Sequence, residues 1–462
     1  MSEQVGKTFD AKIDKLDRKG SGLAAVWREN EEGNPKKLKL IIPQTLPGET
    51  VRVTVDKTKS RKRKVMPEEI LEEHPERITP ECPHFDRCGG CVWQHWRYEG
   101  QLKEKMEHVK EAVTSQGFDS SLVRETIGMD NPWHYRNKME FTFSPDGELG
   151  LHEQGNWRKV ISLETCLIAG VEMVEAAMEV ARWAKQYELK GYNKDLHEGL
   201  LRHLMVRQSF ATNEIMLALF ATESPTGNLK KAVDDLVKRI GEKFPQVKSF
   251  MWMENNDVAD RVQSEESHIL AGRDFIYDEL AGYRYRLWFD TFFQTNPTQA
   301  EKLVELALEI GDPKESEKMI DLFCGVGTFS LPFASRVAEL AGIEIVESSI
   351  ESAKRNAEDN GISNTHFLAK DARKGIDQVL ESFGNPELLL LDPPRSGAGG
   401  KVMRKIGRSG PERIVYVSCN PDSFATDIKE LVPFGYTLKM VQPVDLFPNT
   451  IHVECVALLI KE

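Results

Sequence analysis

Residues 321–330 read Asp321-Leu-Phe-Cys-Gly-Val-Gly-Thr-Phe-Ser330. They close an apolar strand-like run and open a helical pattern. Gly325 and Gly327 let the backbone turn tightly and approach a ligand closely. In open α/β sheets ligands sit beyond the carboxyl ends of strands. A tight turn with two glycines is weak on its own, because a βα connection without a ligand looks the same. The next strand-like run, 337–345, adds Glu344, an acid placed to accept hydrogen bonds from a ribose diol. A third run leads to Asp371, and a fourth ends in Leu391-Asp-Pro-Pro-Arg395. Successive ligand-type signals at strand ends are much stronger than one. A nicotinamide site would prefer glycine at the third position of G-x-G-x-x-G, where Ser330 stands. S-adenosylmethionine is the expected cofactor.

Outward from this stretch, apolar runs at 319–323, 337–345, 387–391, 413–418, 437–443 and 454–460 alternate with helical ones. This alternation predicts an α/β fold, a doubly wound Rossmann-like sheet over residues 291–462. The run 413–418 ends in Ser418-Cys-Asn-Pro421, which places Cys419 on the same sheet edge as the cofactor signals. A cysteine at a strand end is often just packed, but a thiol has a use here. Carbon 5 of uracil is a poor nucleophile toward a methyl sulfonium. A thiolate adding to carbon 6 creates carbanion character at carbon 5, which then attacks the methyl group. A base must afterwards remove the carbon 5 proton. Glu454, a carboxylate among Val453, Val456, Ala457 and Leu458, is the candidate. His452, two residues away and on the same face if the strand includes it, competes.

The motifs Phe292-Phe-Gln-Thr-Asn296, Asp321–Gly327, Asp392–Arg395, Ser418–Pro421 and Phe447-Pro-Asn-Thr-Ile-His-Val-Glu454 resemble the class I RNA uridine-5-methyltransferases. The resemblance covers nearly the whole chain. It is closest to the branch with an N-terminal TRAM-type barrel and an iron–sulfur cluster, which acts on 23S ribosomal RNA. It implies Cys419 as nucleophile and Glu454 as base. It implies Gln294, Phe323, Thr328, Glu344, Asp371 and Asp392 around the cofactor, and Phe292 against the target base. Some relatives carry Asn where this chain has Thr328. Cys455 has no implied role and, on a strand, points away from the site.

The chain has 462 residues, a net charge of −12 and seven cysteines. No apolar run reaches the roughly 18 residues of a membrane span, and the first ten residues lack a signal-peptide core. A cytoplasmic, monomeric protein without membrane association is expected. The net charge argues against indiscriminate nucleic-acid binding. Residues 1–66 nevertheless read as a small OB-like β-barrel that ends in Lys57, Lys59, Arg61, Lys62, Arg63 and Lys64, which suits RNA backbone. A solvated charge run is the plainer reading. Residues 67–96 and 124–290 are expected to form a central α+β domain, with strands at 138–144, 201–209, 214–221 and 283–289 and a helix at 171–187. Residues 97–123 are expected to form a helix packing on the catalytic domain.

Cys82-x5-Cys88-x2-Cys91, followed by Cys166, offers thiolates for a structural zinc or an iron–sulfur cluster. Gly89 and Gly90 allow a loop to fold around a bulky cluster. Zinc clamps more usually show paired short spacings. The resemblance implies a [4Fe-4S] cluster on Cys82, Cys88, Cys91 and Cys166. Four ligands leave no open iron for radical chemistry.

The expected activity is methylation of carbon 5 of a uridine in 23S ribosomal RNA. The alternatives are the same chemistry on transfer RNA, cytosine-5 methylation, or a non-catalytic RNA-binding iron–sulfur protein. Adenine amino-methylation is disfavoured because Arg395 occupies the aromatic position of an Asp-Pro-Pro motif.

Overall fold

The computed structural model describes residues 6–29, 35–55, 62–257 and 264–462. They form two compact units, residues 1–104 with 449–451, and the remainder.

The first unit holds a six-stranded sheet of β1 (Lys7–Leu16), β2 (Gly22–Glu29), β3 (Pro35–Ile42), β4 (Thr50–Val55), β5 (Lys62–Lys64) and β6 (Glu69–Glu72), ordered β5-β3-β2-β1-β4-β6. The first half of β1 pairs with β4 and, after a bulge at Ile13–Lys15, its second half pairs with β2. Such a partner switch curls a sheet. Alternate residues Ala11, Ile13, Val51, Val53, Val55, Leu38, Leu40 and Ile42 point into one core, as period-2 patterning requires. The cysteine segment belongs to this unit, not to the central domain expected from sequence. Trp93 and Trp96 share a core with Leu16 and Leu46, and buried Glu49 accepts from both Arg77 Nε (2.5 Å) and Arg77 Nη2 (2.7 Å). The sheet also runs past the expected boundary at 66, to Glu72.

The second unit begins within helix α1 (Tyr98–Ser115). Its central sheet comprises β7 (Lys138–Phe143), β8 (Leu149–Glu153), β9 (Asn156–Ser162), β10 (Leu201–Gln208), β11 (Ile215–Ala221), β12 (Val247–Glu254) and β13 (Glu266–Gly272), ordered β13-β12-β11-β10-β7-β8-β9. Helices α2 (Val171–Gln186) and α3 (Gly227–Lys243) accompany it, and β14 (Ile276–Leu280) and β15 (Tyr283–Leu287) form a hairpin.

Helix α4 (Pro297–Gly311) starts the catalytic region, with Asn296 capping it and proline in its first turn, both favoured at a helix start. Then follow β16 (Lys318–Leu322), α5 (Ser330–Ala334), β17 (Glu339–Glu344), α6 (Glu347–Asp359), β18 (Thr365–Ala369), α7 (Ala372–Phe383), β19 (Leu388–Leu391), α8 (Gly400–Ser409), β20 (Arg413–Ser418), α9 (Pro421–Lys429), β21 (Tyr436–Val444) and β22 (Glu454–Lys461). The order is β18-β17-β16-β19-β20-β22-β21, parallel except for β22. Both faces are apolar: Met319, Leu340, Leu388, Leu390, Val415 and Val417 enter one core, and Ile320, Leu322, Ile343, Leu389, Leu391 and Tyr416 the other. Burial on both faces explains the near-continuous apolar runs. The strand order reverses at β16, between β17 and β19, and this switch point is where such sheets bind ligands.

Candidate active site

Beyond β16 the chain turns at Phe323, which takes a left-handed φ of +68°. Such a conformation is costly for a bulky side chain. It is held because the N–H groups of Phe323 and Cys324 both donate to the Ile343 carbonyl, at 2.8 and 3.1 Å. Gly325 follows with φ +53°, and a Cβ there would meet no atom within 4 Å, so its backbone is open to a ligand. Glu344 Oε2 accepts from Gly325 N (3.3 Å), and Oε1 accepts from Ile345 N (2.7 Å) and Val346 N (3.0 Å). A carboxylate has about four acceptor positions, so capacity remains for a ribose diol. Asp371 is exposed beyond β18, with Oδ1 capping α7 through Arg373 N and Lys374 N. Half-buried Asp392 follows β19; burial and then Asp321 push its pKa up to about 7. Asp321 is buried, accepts from Ser330 Oγ at 2.5 Å, and is itself pushed up to about 7 by burial. Thr328 is half-buried, and its carbonyl accepts from the Tyr285 hydroxyl at 3.3 Å. Gln294 is 9% exposed. An open glycine backbone held by Glu344, with Asp371 and Asp392 following the neighbouring strands β18 and β19, suits a sulfonium cation bearing a ribose, so these residues fit S-adenosylmethionine.

Strands β20 and β22 are antiparallel, with Ser418 opposite Cys455. Continuing that register puts Cys419 opposite Glu454, one residue past the ladder on β20. Opposite residues share a face and lie within about 5.5 Å at Cβ. Cys455 points into the opposite core and is fully buried, as its alternate position demands. Burial, with Glu454 and Asp392 nearby, raises the Cys419 thiol to about 12, and Arg395 opposes the rise. Burial and Asp392 raise Glu454 to about 8, again against Arg395. His452 precedes β22, so the shared-face reasoning based on a strand does not apply to it. Its Nδ1 lies 3.3 Å from Arg395 Nη2. Burial, then Arg395, Lys105 and Arg136, lowers its pKa to about 4. Such an imidazole is a weak base.

Phe292 is 68% exposed, an aromatic face open to a base. Asn296 instead is fully buried, caps α4 and donates to the Leu446 carbonyl at 2.9 Å, a structural role. Sequence reasoning missed the support of the 445–454 loop. Lys105 of α1 reaches Asp445 at 2.6 Å and the Phe447 carbonyl at 3.0 Å, and Asp445 also accepts from Phe447 N at 3.0 Å. A lysine inside an amphipathic helical pattern gives no signal of such burial.

The basic run fares differently. Lys57, Lys59 and Arg61 lie outside the described residues, as does the side chain of Lys62. Lys64 is exposed, but Arg63 is only 6% exposed and offers no surface charge for RNA, which corrects its expected role. Strand alternation turns it inward. Cys82, Cys88 and Cys91 lie in the first unit, where Gly90 N donates to Cys88 Sγ at 3.4 Å. Burial and the neighbouring Cys82 help raise the Cys88 thiol. Cys166 lies in the second unit and lines a cavity of about 460 Å³ with His134, Glu164 and Arg182.

A switch-point site with an open glycine turn and acidic strand ends defines an S-adenosylmethionine-dependent methyltransferase. Residues 97–462 match the family described as tRNA (Uracil-5-)-methyltransferase, and residues 2–62 match the TRAM domain. The chain belongs to the RNA uracil-5-methyltransferase family. It is 35% identical to an uncharacterized RNA methyltransferase of Caldanaerobacter subterraneus over 99% of both chains. It is 34% identical to another from Halalkalibacterium halodurans, over 97% of this chain and 95% of that one. The structure resembles the Pyrococcus abyssi tRNA (uracil-54, C5)-methyltransferase in complex with S-adenosyl-L-homocysteine. The TM-score is 0.75 and the identity 26%, over 98% of this chain and 100% of that chain. RNA is thus the substrate class. Among the described residues no helix is long and apolar enough to cross a membrane.

Proposed function

We propose that the protein methylates carbon 5 of a uridine in 23S ribosomal RNA through a covalent adduct with Cys419. The observation that carries this reading is the opposition of Cys419 and Glu454 at the cofactor edge of the sheet. Cys419 Sγ gives its proton to solvent water and bonds to carbon 6, and the electron pair of the 5,6 double bond becomes an enolate. S-adenosylmethionine, when bound, supplies an electrophilic methyl group and a positive charge among the carboxylates. Carbon 5 would take the methyl with the enolate's electron pair, and S-adenosylhomocysteine would leave. Glu454 as carboxylate then removes the carbon 5 proton, the double bond reforms and the carbon 6–sulfur bond breaks, returning the thiolate. Arg395 stabilises both anions. Phe292 stacks on the target base, which must leave its helix to reach the thiol. Gln294, Phe323, Thr328, Glu344, Asp371 and Asp392 hold the cofactor. Lys57, Lys59, Arg61, Lys62 and Lys64 contact RNA backbone.

Cys82, Cys88 and Cys91, with Cys166 as fourth ligand, hold a [4Fe-4S] cluster in a structural or RNA-positioning role. The amide donated to Cys88 suits a thiolate ligand, since hydrogen bonds to cluster sulfurs are a usual tuning device. The chain works as a cytoplasmic monomer.

A second reading, transfer RNA as substrate, is favoured by the similarity to the Pyrococcus enzyme. Ribosomal and transfer RNA, each tritiated at uridine carbon 5 and unmethylated, separate the two. Cofactor-dependent tritium release from ribosomal RNA is expected. Release from transfer RNA alone moves the substrate and keeps the chemistry. Release from neither overturns uridine methylation.

A further inference from the structure

Two inner strands of the central sheet, β7 and β10, carry beside the Phe292 segment a charge arrangement that packing alone does not explain. Lys138 on β7 pairs directly with Arg207 on β10. Like charges directly opposite on a sheet are destabilising, and here the guanidinium is 1% exposed. Arg207 Nη2 donates to the Thr291 carbonyl at 2.5 Å, while Nε and Nη1 have no partner among the described residues. Arg136, two residues before Lys138, precedes β7 and donates Nε–H to the Lys138 carbonyl at 3.0 Å. The carboxylate that ion-pairs on this face is Glu140, 3.0 Å from Lys138. Asp278, Asp290 and Glu140 also act electrostatically on Arg207.

The location is specific. Asn137 N donates to the Thr295 carbonyl at 2.9 Å, and the Tyr135 hydroxyl donates to the Pro448 carbonyl at 3.0 Å. Arg136 therefore sits between the segment that carries Phe292 and the loop that leads to Glu454. Arg136 and Lys138 are half-buried. Asp278, Asp290 and Glu140 serve Arg207, and Glu140 also pairs with Lys138, but Arg136 has no ion-pair partner among the described residues and lies near an exposed aromatic ring, which leaves room for an anion from outside the chain. RNA is the substrate class, and a phosphodiester has the charge such a place would take.

We propose that Arg136 and Lys138, backed by Arg207, grip the RNA backbone next to the nucleotide presented to Cys419. This assigns an RNA-binding role to the catalytic unit in addition to the barrel. It rests on the reading that Cys419 marks the reacting end, but not on which RNA is the natural substrate.

The test is the salt dependence of oligouridylate binding by the full chain, since phosphate binding is independent of sequence. On a single strand, each phosphate that the protein neutralises contributes about 0.7 to the slope of log K against log salt. The slope of the Arg136→Gln/Lys138→Gln protein is expected to be shallower by about 1.4. Its affinity at physiological salt should fall by on the order of ten-fold. Arg136→Lys/Lys138→Arg, which keeps both charges, is expected to restore the slope. Lys138→Gln alone, with a slope shallower by about 0.7, serves if the double variant does not fold. An unchanged slope in a folded variant overturns the proposal. So does an equal change in the charge-preserving pair, which would mark a packing role. Failure of uridine methylation itself would appear in tritium release and leave these slopes untouched.

Discussion

The two side chains proposed to react both favour their protonated forms at neutral pH, Cys419 with a pKa of about 12 and Glu454 with one of about 8. Their roles predict different lesions. Cys419→Ala should give no RNA adduct on a denaturing gel and no methylation. Glu454→Gln should form the adduct and release it slowly, because only proton removal from carbon 5 is lost. The elimination rate should climb with pH through about 8 as Glu454 ionises, and His452→Asn should leave that limb in place, since His452 titrates near 4. A limb that vanished in His452→Asn would move the base role to the imidazole. The same burial sets a stability trend. Glu454 keeps its proton in the fold between its ordinary value of 4.5 and about 8, whereas the unfolded chain has released it. Stability contributed by this residue therefore falls across that window, by at most about 1.4 kcal/mol per pH unit. The melting temperature of Glu454→Gln relative to the parent should rise between pH 5 and 8, as thermal unfolding at several pH values would show.

At the scale of elements, the chemistry depends on how the loop between β21 and β22 is held. Lys105 and Asp445 are 1% and 0% exposed at the side chain, and burial lowers the lysine pKa against the pull of Asp445. Removing one partner of such a pair typically costs about 3–5 kcal/mol because a charge is left buried alone. Lys105→Met should lose that order of stability in denaturant unfolding. Lys105→Met/Asp445→Asn should recover part of it, while Phe447 loses its carboxylate acceptor and the adduct forms more slowly. Equal stabilities for the parent and Lys105→Met would show the pair to be dispensable.

Nothing in the sequence announced this pair, because its members lie 340 positions apart and neither breaks its local pattern. The doubly wound sheet was legible for the opposite reason: strands buried on both faces are continuous apolar runs that no surface element imitates. The pairing of Cys419 with Glu454 was not legible, since the register of β20 against β22 is set only in the folded sheet. The central sheet was less legible. β12 and β13 mix polar and apolar residues, and the exposed β9 carries Trp157, Arg158 and Lys159 without alternation. The inward turn of Arg63 was hidden because a basic run looks solvated whatever its neighbours.

At the scale of the molecule, the two units differ in what can hold them together. The second has continuous apolar cores on both faces of its catalytic sheet. In the first, β1–β4 enclose a compact core, but residues 79–92 contain no helix or strand and bury little besides Phe85 and Cys91. A loop with so few buried apolar groups cannot offset its ordering entropy, which is about 1–2 kcal/mol per residue for the backbone. Small segments of this kind are ordinarily fixed by a metal or disulfide. A resident cluster on Cys82, Cys88 and Cys91 would supply that restraint, because ligand binding to the folded form alone stabilises it. Iron and acid-labile sulfide should therefore be found in protein purified without oxygen, and Cys88→Ser should lose both. Limited proteolysis of that variant should cut within 79–92 well before the catalytic sheet, with S-adenosylmethionine binding retained. Stoichiometric zinc without sulfide would replace the cluster with a zinc site and leave the cleavage pattern as the same consequence of broken ligation. Neither metal, with 79–92 still resistant, would show that Trp93, Trp96 and the Glu49–Arg77 pair anchor the segment unaided.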